Sequence, residues 1–365
     1  MDGMKLDFRE GVTGVVMVRD DANRLKRCLE SLGPMVNEII VLDTGSNDDS
    51  VKVAKASGAR VMEIEWPNAF DEALNVLLDA VETRWTLRLD SDEWLEPDQA
   101  PALKQLIERD DIFLVRAIIR SEQPNGGTAD SLVDRLWRTH PEMRYQGAIH
   151  EQFWPETLER CAGSRSIWAG GLVIQHDGYS VGDQAEKKRR NLGLVRRELE
   201  LRPGNLYYES ILADMLFELD DPGAREAMDA VMDRCVRSGR PAEQVVAGVV
   251  FAKALSTIPP ESCRLPRVAK QLAYVVQHFN DFPSLRLAAA ILEFKRENFR
   301  QALEHAVAVE RMRTTGQFSR ALSASPQNFF SAWIVGRDAA ATLGDRAVES
   351  HFAALIQQAE QQVAR

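Results

Sequence analysis

Short apolar segments alternate with amphipathic segments through the first half of the chain, and this alternation limits the fold more than any other feature. Val12–Val18 has the pattern of a strand, and Asp21–Leu32 after it has the pattern of a helix. The buried face of that helix is predicted to contain Leu25, Cys28, Leu29 and Leu32. Two more strand–helix pairs lead to a fourth strand at Trp85–Leu89. Such alternation predicts βαβ crossovers and a parallel sheet covered on both faces.

The pattern changes twice further along the chain. Four more segments resemble strands and would complete a mixed sheet: Ile112–Ile119, Leu132–Trp137, Tyr145–His150 and Leu172–His176. From Gly182 onward strand patterns nearly vanish, and amphipathic segments follow one another with breaks that contain Pro or Gly. The pair of segments within Leu285–Met312 is the most similar to a tetratricopeptide unit. We therefore expect an α/β domain over residues 1–182 and an all-α helical-repeat domain over residues 183–365.

Composition excludes several classes of protein. The 45 Lys and Arg against 55 Asp and Glu give a net charge of -10, which argues against nucleic acid as the main partner. No stretch approaches the ~18 consecutive apolar residues of a membrane-spanning helix. The start of the chain carries Asp2 and Asp7 before any apolar run, unlike a secretory leader, and the four cysteines lack CxxC spacing. These features predict a cytoplasmic protein with reduced thiols.

The most specific motif is the acidic run that begins at Asp90 and includes Ser91, Asp92 and Glu93, directly after the fourth strand. Ligands of open α/β sheets bind outside the carboxyl ends of the strands. Two carboxylates at i and i+2 in that position can divide their roles. One would bind a hydroxyl-rich group, and the other, with a divalent cation, would neutralise phosphate oxygens. By itself, such a run is also typical of a solvated turn before a helix.

Two neighbouring strands also end in acidic turns. Asp43 precedes a Thr-Gly-Ser turn, which supplies a carboxylate together with backbone N–H groups that could read a nucleotide. The alternative is that Asp43 and Ser46 only cap the next helix. The first strand ends at Arg19, followed by two aspartates. Three acidic turns on one edge are difficult to attribute to capping alone.

Two histidines follow short apolar segments in the second half of the predicted sheet. His150 precedes Glu151, and His176 precedes Asp177. Imidazole is a common ligand of divalent metals, so either histidine could complete a metal site. The alternative is that both are structural residues at strand ends.

Taken together, these ordered motifs resemble the family 2 glycosyltransferases of the GT-A fold. The resemblance rests on Val15–Asp21, Arg27–Ser31, Glu38–Ser46, Leu89–Glu93, Arg135–Arg138, Gly147–Gln152 and Ile174–Tyr179. It covers about the first 200 residues and is closest to a bacterial branch that adds tetratricopeptide-like helices. It implies a GT-A (Rossmann-like) mixed-sheet domain that binds a nucleotide sugar, followed by the all-α helical-repeat domain.

The resemblance assigns the metal site. Asp90 would approach the donor's ribose or a metal-bound water, and Asp92 would ligate Mn²⁺ or Mg²⁺. Ser91 between them belongs to the same donor-binding motif. The resemblance also implies a histidine ligand after a late strand, for which His176 fits best and His150 is the rival.

The donor's nucleotide and diphosphate would meet other residues. Asp43 would contact the region of the base, and Arg19 would present a cation to phosphate. Lys187 and Arg190, three residues apart on one helix face, would lean over the diphosphate. The alternatives for this basic cluster are a solvated helix face or contact with anionic lipid headgroups at a membrane surface.

Inverting members of the family use a single carboxylate base. Glu151 is the first candidate, and Glu93 and Asp177 are the alternatives. The sequence departs from the family at Leu74, where an Arg is usual. Arg88 interrupts an apolar strand, and strand alternation puts it on the side of Asp90, where it could pair with Asp43 or Asp90.

The leading hypothesis is therefore a metal-dependent inverting glycosyltransferase with a nucleotide-diphosphate sugar, most simply a UDP-sugar, as donor. Its acceptor would be a protein or peptide, or a lipid-linked saccharide. The alternative from another class is a decayed transferase domain that serves as an interaction scaffold. A nucleotidyltransferase is disfavoured because no glycine-rich loop follows the first strand.

Overall fold

The computed structural model describes residues 8–122, 128–177, 184–238, 245–317 and 326–363. The chain divides into two compact units, Met1–Arg197 and Glu198–Arg365. This division falls inside a helix at Gln184–Leu201, whereas the boundary expected after residue 182 lies outside the described residues.

A mixed eight-stranded sheet forms the first unit. Its strands are β1 (Arg9–Val18), β2 (Glu38–Asp43), β3 (Arg60–Glu63), β4 (Thr83–Asp90), β5 (Glu93–Trp94), β6 (Ile112–Glu122), β7 (Thr128–Arg138) and β8 (Ser166–His176). They lie in the order β3-β2-β1-β4-β7-β6-β8-β5. The half from β3 to β4 is parallel, β7 runs antiparallel to β4 and β6, and β8 is parallel to β6. The predicted α/β architecture is confirmed.

Five helices connect the strands of this unit: α1 (Ala22–Leu32), α2 (Ser50–Ala56), α3 (Phe70–Asp79), α4 (Ala100–Ile107) and α5 (Pro155–Ala162). The four residues predicted to form the inner face of α1 are all buried. They pack with Val12, Val16 and Leu87 of the sheet in one apolar cluster. This packing fixes α1 against the sheet, and therefore fixes the turn between β1 and α1.

One predicted strand is wrong. Residues 145–150 form no strand, and the only regular pairing there is a single bridge between Gln146 and Gln152. Gly147 and His150 have φ values of 111° and 54°, which interrupt extended backbone. The segment is instead a folded loop, and it is followed by α5, which the sequence pattern did not predict.

Nine helices follow the sheet in the described part of the chain, as the sequence predicts. They are α6 (Gln184–Leu201), α7 (Leu206–Glu218), α8 (Ala224–Ser238), α9 (Val245–Ser256), α10 (Pro266–His278), α11 (Pro283–Lys295), α12 (Phe299–Thr315), α13 (Pro326–Leu343) and α14 (Arg346–Val363). Small residues at Ala288, Ala289 and Ala290 are buried and allow α11 to pack closely. None of the described helices is long and apolar enough to span a bilayer.

Candidate functional site

The carboxyl ends of three parallel strands bring the predicted acidic turns together. Residues of β1 pair with both neighbours at this edge, Met17 with Asp90 on β4 and Val18 with Asp43 on β2. A cleft of about 480 Å³ opens beside them. The cleft therefore lies where an open α/β sheet binds its ligands.

Charged and aromatic side chains line this cleft. The arginines are Arg19, Arg24, Arg88 and Arg190, and the carboxylates are Asp21, Asp90, Asp92 and Glu151. Trp66 and Phe70 line it as an edge-to-face pair, with ring centroids 4.9 Å apart. Such a lining combines groups that bind phosphate, groups that bind hydroxyls and an apolar surface for a ring.

Asp43 is held by the turn that follows it. Its Oδ1 accepts hydrogen bonds from the backbone N–H groups of Gly45 and Ser46, both at 2.9 Å. Gly45 has φ 98°, a value that suits glycine. Its Oδ2 is buried and has no hydrogen-bond partner among the described residues. Asp43 itself does not line the cleft, but the next residue, Thr44, does. Asp43 therefore holds an acceptor atom with unmet hydrogen-bonding capacity one residue from the cleft lining.

Both oxygens of Asp90 accept hydrogen bonds from arginines. Arg88 donates to Oδ1 from Nε at 3.2 Å and from Nη2 at 3.0 Å, and Arg135 donates to Oδ2 at 2.7 Å. Burial alone would raise the pKa of Asp90, but the cations of Arg135 and Arg88 outweigh it and hold that pKa well below its usual range. Asp90 is therefore a fixed, ionised hydrogen-bond acceptor.

Glu93 completes this network beneath the cleft. Its side chain is buried, accepts from Arg135 at 2.6 Å and accepts from the backbone N–H of Asp90 at 3.0 Å. Burial and the nearby carboxylate of Asp90 raise the pKa of Glu93, although Arg135 opposes the shift. Glu93 does not line the cleft, so its contacts support the Asp90 turn.

Asp92 and His176 meet although they are far apart in sequence. The two-residue strand β5 pairs with the end of β8, where Glu93 lies opposite His176. Asp92 Oδ2 is 3.5 Å from His176 Nε2, and His176 Nδ1 is 3.0 Å from the hydroxyl of Ser121. Burial opposes protonation of this imidazole, but the hydrogen bond to Asp92 prevails and raises the pKa of His176. One side of the ring is thus oriented by Ser121, and the other is directed at Asp92.

These two side chains can serve as ligands of a divalent cation. A carboxylate oxygen and an imidazole nitrogen 3.5 Å apart can be bridged by one cation. Among the described residues there is no group of three or more His, Cys, Asp or Glu side chains arranged to hold a metal. A cation at Asp92 and His176 would therefore need oxygens from its substrate, as Mg²⁺ commonly takes from phosphates.

Glu151 reaches the cleft from the loop that was predicted to be a strand. Its Oε1 accepts from Arg88 Nη2 at 2.8 Å, and 12% of its side chain is exposed. Arg88 therefore bridges Glu151 and Asp90. The pairing with Asp90 was one of two predicted partners, whereas the contact with Glu151 was not anticipated.

Two other predicted candidates lie outside the lining of the cleft. His150 is exposed beside Glu151 and does not line it. Asp177 accepts from Arg27 Nη2 at 2.5 Å, and the Arg27 guanidinium lies 3.6 Å from the ring centroid of Trp94. Asp177 is therefore engaged with α1.

The remaining predicted residues are divided between the cleft and its surroundings. Arg19 and Arg190 line the cleft with exposed side chains. Ser91 lines it too, and its hydroxyl donates to Asp21 Oδ2 at 2.6 Å. Lys187 belongs to α6, but its side chain lies outside the described residues.

Sequence reasoning gave no role to several residues that organise the site. Asp21 and Arg24 follow the first strand, and their signal was the acidic turn itself. Arg135 lies in a strand that was predicted, but nothing local to it indicates that it reaches Asp90. Trp66 and Phe70 are half-buried at the cleft, and no motif of the sequence singles them out.

Comparison with known proteins agrees with the predicted resemblance. Residues 15–166 match the model of the family described as glycosyl transferase family 2. A TPR repeat-containing protein of Synechococcus elongatus is 29% identical over 248 residues, which cover 66% of this chain and 60% of that protein. The SPbeta prophage-derived glycosyltransferase SunS of Bacillus subtilis is 25% identical over 199 residues, which cover 53% of this chain and 46% of that protein. The chain therefore spans about half of the length of these relatives.

Among solved structures, one similar chain is a glucosyl-3-phosphoglycerate synthase from Mycobacterium tuberculosis in complex with Mn²⁺, UDP and glucosyl-3-phosphoglycerate. It is 19% identical, with a TM-score of 0.38, over 58% of this chain and 81% of that chain.

Proposed function

We propose that this protein, whose residues 15–166 match the model of glycosyl transferase family 2, moves a sugar from a nucleotide-diphosphate donor to an acceptor with inversion of configuration. One observation carries the proposal. Asp90, Asp92, His176 and Glu151 line a single cleft at the carboxyl edge of the sheet. That set contains an anchor for hydroxyls, two ligands for a cation and a carboxylate that can serve as a base.

The nucleoside end of the donor would lie near Asp43 and Arg19. The unsatisfied Oδ2 of Asp43 supports this proposal, because a base N–H or a ribose hydroxyl would supply the missing donor after a small movement of the turn. Arg19 lines the cleft, directly follows Val18, which pairs with Asp43, and can contact phosphate. We favour a UDP-sugar as donor.

The proposed metal, Mn²⁺ or Mg²⁺, would be held by Asp92 and His176. When bound, it would neutralise the charge of the diphosphate leaving group. Both oxygens of Asp90 are occupied by arginine N–H groups, so we assign Asp90 to hydrogen bonding with the donor instead of ligation. His150 lies outside the cleft lining and receives no metal role in this proposal.

Glu151 is the proposed base for the acceptor. It lines the cleft, and one of its oxygens is fixed by Arg88 while the other makes no hydrogen bond within the described part of the chain. That second oxygen could take the proton of an attacking hydroxyl or thiol. Glu93 and Asp177 are less suitable because neither lines the cleft.

We propose a protein or peptide, or a lipid-linked saccharide, as the acceptor. Helical arrays commonly bind extended partners on a continuous surface, which favours a protein or peptide.

The second candidate function is a non-catalytic interaction module. It is favoured by Leu74, which stands where the family usually has an arginine and is only 2% exposed in the core.

The test is calorimetric titration of UDP, GDP and CMP with and without Mn²⁺, followed by detection of released diphosphate with candidate donors. We expect one nucleoside diphosphate to bind more tightly with Mn²⁺. Asp92→Asn should remove the metal dependence, whereas Glu151→Gln should keep nucleotide binding and lose turnover. Asp98→Asn, an exposed change in the turn before α4, is the matched control. If no nucleotide binds the wild-type protein, the interaction module is favoured and the enzyme proposal fails.

A further inference from the structure

Arg24 lies beside Asp92, the proposed carboxylate ligand of the metal. It belongs to the first turn of α1, and its side chain is 23% exposed at the cleft. Its Nε donates to Asp21 Oδ1 at 2.8 Å, and its Nη1 is 3.7 Å from Asp92 Oδ2. This is the same oxygen of Asp92 that faces His176.

The guanidinium is anchored at one end only. Asp21 holds Nε and also accepts the hydroxyl of Ser91, which ties the start of α1 to the turn between Asp90 and Asp92. In contrast, Nη1 is buried and makes no hydrogen bond within the described residues. A buried donor without a partner is costly, and an anion in the cleft would relieve that cost.

A divalent cation and this guanidinium compete for one oxygen. A dication at Asp92 and His176 would lie within a few ångströms of Arg24 Nη1, and two cations at that separation repel strongly. The repulsion is offset if a diphosphate enters with the metal, because its oxygens can accept from Nη1 and draw the guanidinium away from Asp92.

We propose that Arg24 makes metal binding depend on the donor's diphosphate. Without the nucleotide, the Arg24 guanidinium is the counter-ion of Asp92, and with the nucleotide bound it pairs with a phosphate oxygen instead. This inference rests on the proposed function, since it uses the same metal ligands. Binding of Mn²⁺ without nucleotide is weak, and nucleotide and metal strengthen each other's binding by the same factor. Arg24 is thus a positioning residue that sets the order in which the site fills.

The test measures Mn²⁺ binding directly by electron paramagnetic resonance of the free ion, in the wild-type protein and in Arg24→Met, with and without UDP. Without UDP, Arg24→Met should bind Mn²⁺ about tenfold more tightly or better, because one positive charge near the metal is gone. The gain in Mn²⁺ affinity on adding UDP should shrink by a similar factor. Arg24→Lys keeps the charge and should keep the wild-type dependence on UDP.

Lys26→Met is the matched control, because it removes a positive charge from the exposed side of the same helix, where Lys26 pairs with Glu30. It should leave Mn²⁺ binding unchanged. Circular dichroism checks that each variant is folded, and if Arg24→Met is not, Arg24→Gln replaces it. Equal or weaker binding of Mn²⁺ by the neutral variant without UDP overturns the role of Arg24 while leaving the metal site in place. Absence of Mn²⁺ binding in all variants, even with UDP, overturns this inference and the proposed metal site together.

Discussion

A buried histidine in the second unit should make that unit lose stability in mild acid. His305 on α12 is only 6% exposed, and its Nδ1 lies 3.0 Å from Arg286 Nη1 on α11. Arg286 can only donate, so the imidazole must accept and be neutral. Burial and then the Arg286 cation lower the pKa of His305 from 6.5 to about 4.

The sign of the effect follows from this lowered pKa. Between pH 6.5 and pH 4 the unfolded chain binds a proton at His305 that the folded chain does not bind. The contribution to the free energy of unfolding is therefore complete above pH 6.5 and is lost as the pH falls toward 4. At about 1.4 kcal/mol per pKa unit, the whole effect is up to about 3 kcal/mol. About 2 kcal/mol of it is lost by pH 5.

The measurement is hydrogen exchange by mass spectrometry on the full chain at several pH values, corrected for intrinsic exchange rates. The comparison variant is His305→Gln, whose amide oxygen can accept from Arg286 and does not titrate. From pH 8 to pH 5, peptides of α11 and α12 should lose about 2 kcal/mol more protection in the wild-type protein than in the variant. Peptides of β1 in the first unit should show no such difference. If the difference between the two proteins is the same at pH 8 and pH 5, the reasoning is wrong.

Three further predictions concern the cleft and the helical packing. Arg88→Lys keeps the charge but cannot bond Asp90 and Glu151 at once, so kcat should fall by about 10- to 100-fold in an assay of diphosphate release. The affinity for UDP, measured by calorimetry, should change little. An unchanged kcat would argue against the bridge. Asp43→Asn keeps the shape of the turn but removes the unsatisfied carboxylate oxygen, and should weaken UDP binding about tenfold without altering Mn²⁺ binding alone. Gly336→Ala would place a Cβ atom 2.5 Å from the Phe352 ring, and should destabilise the second unit by about 1–3 kcal/mol in urea unfolding with UDP affinity unchanged.

The sequence predicts the parallel half of the sheet well because its signals are local. The inner face of α1 follows from helical spacing, and β4 follows from an apolar run that ends at Asp90. The loop at residues 145–150 was mistaken for a strand because its apolar residues match a strand pattern. Its backbone instead turns at Gly147 and His150, where φ is positive, and the Gly147 N–H donates to Asp71 Oδ2 on α3, which is distant in sequence. The two-residue strand β5 is too short to give any periodic signal.

The same distinction applies to the candidate site. Asp43, Asp90 and Asp92 follow predicted strands, so their common edge could be anticipated, and so could the side of the sheet that Arg88 faces. The contact between Arg135 and Asp90 spans 45 residues, and no local pattern encodes it. The same holds for Glu151, which reaches Arg88 from an irregular loop. Sequence reasoning therefore identified Asp90 and its partner Arg88, but not Arg135 or the contact between Arg88 and Glu151.

The pairing of β5 with β8 has a consequence for the order in which the parts of the site form as the chain folds. His176 comes more than 80 positions after Asp92 and is brought beside it only when the last strand of the sheet has docked. Contacts between residues so distant in sequence form late, because closing the intervening chain costs entropy. A nascent chain that has assembled only its first four strands would hold Asp43 and Asp90 at a common edge, yet would lack the imidazole. The proposed metal site is thus complete only in the finished sheet, after the edge proposed to bind the nucleoside has formed.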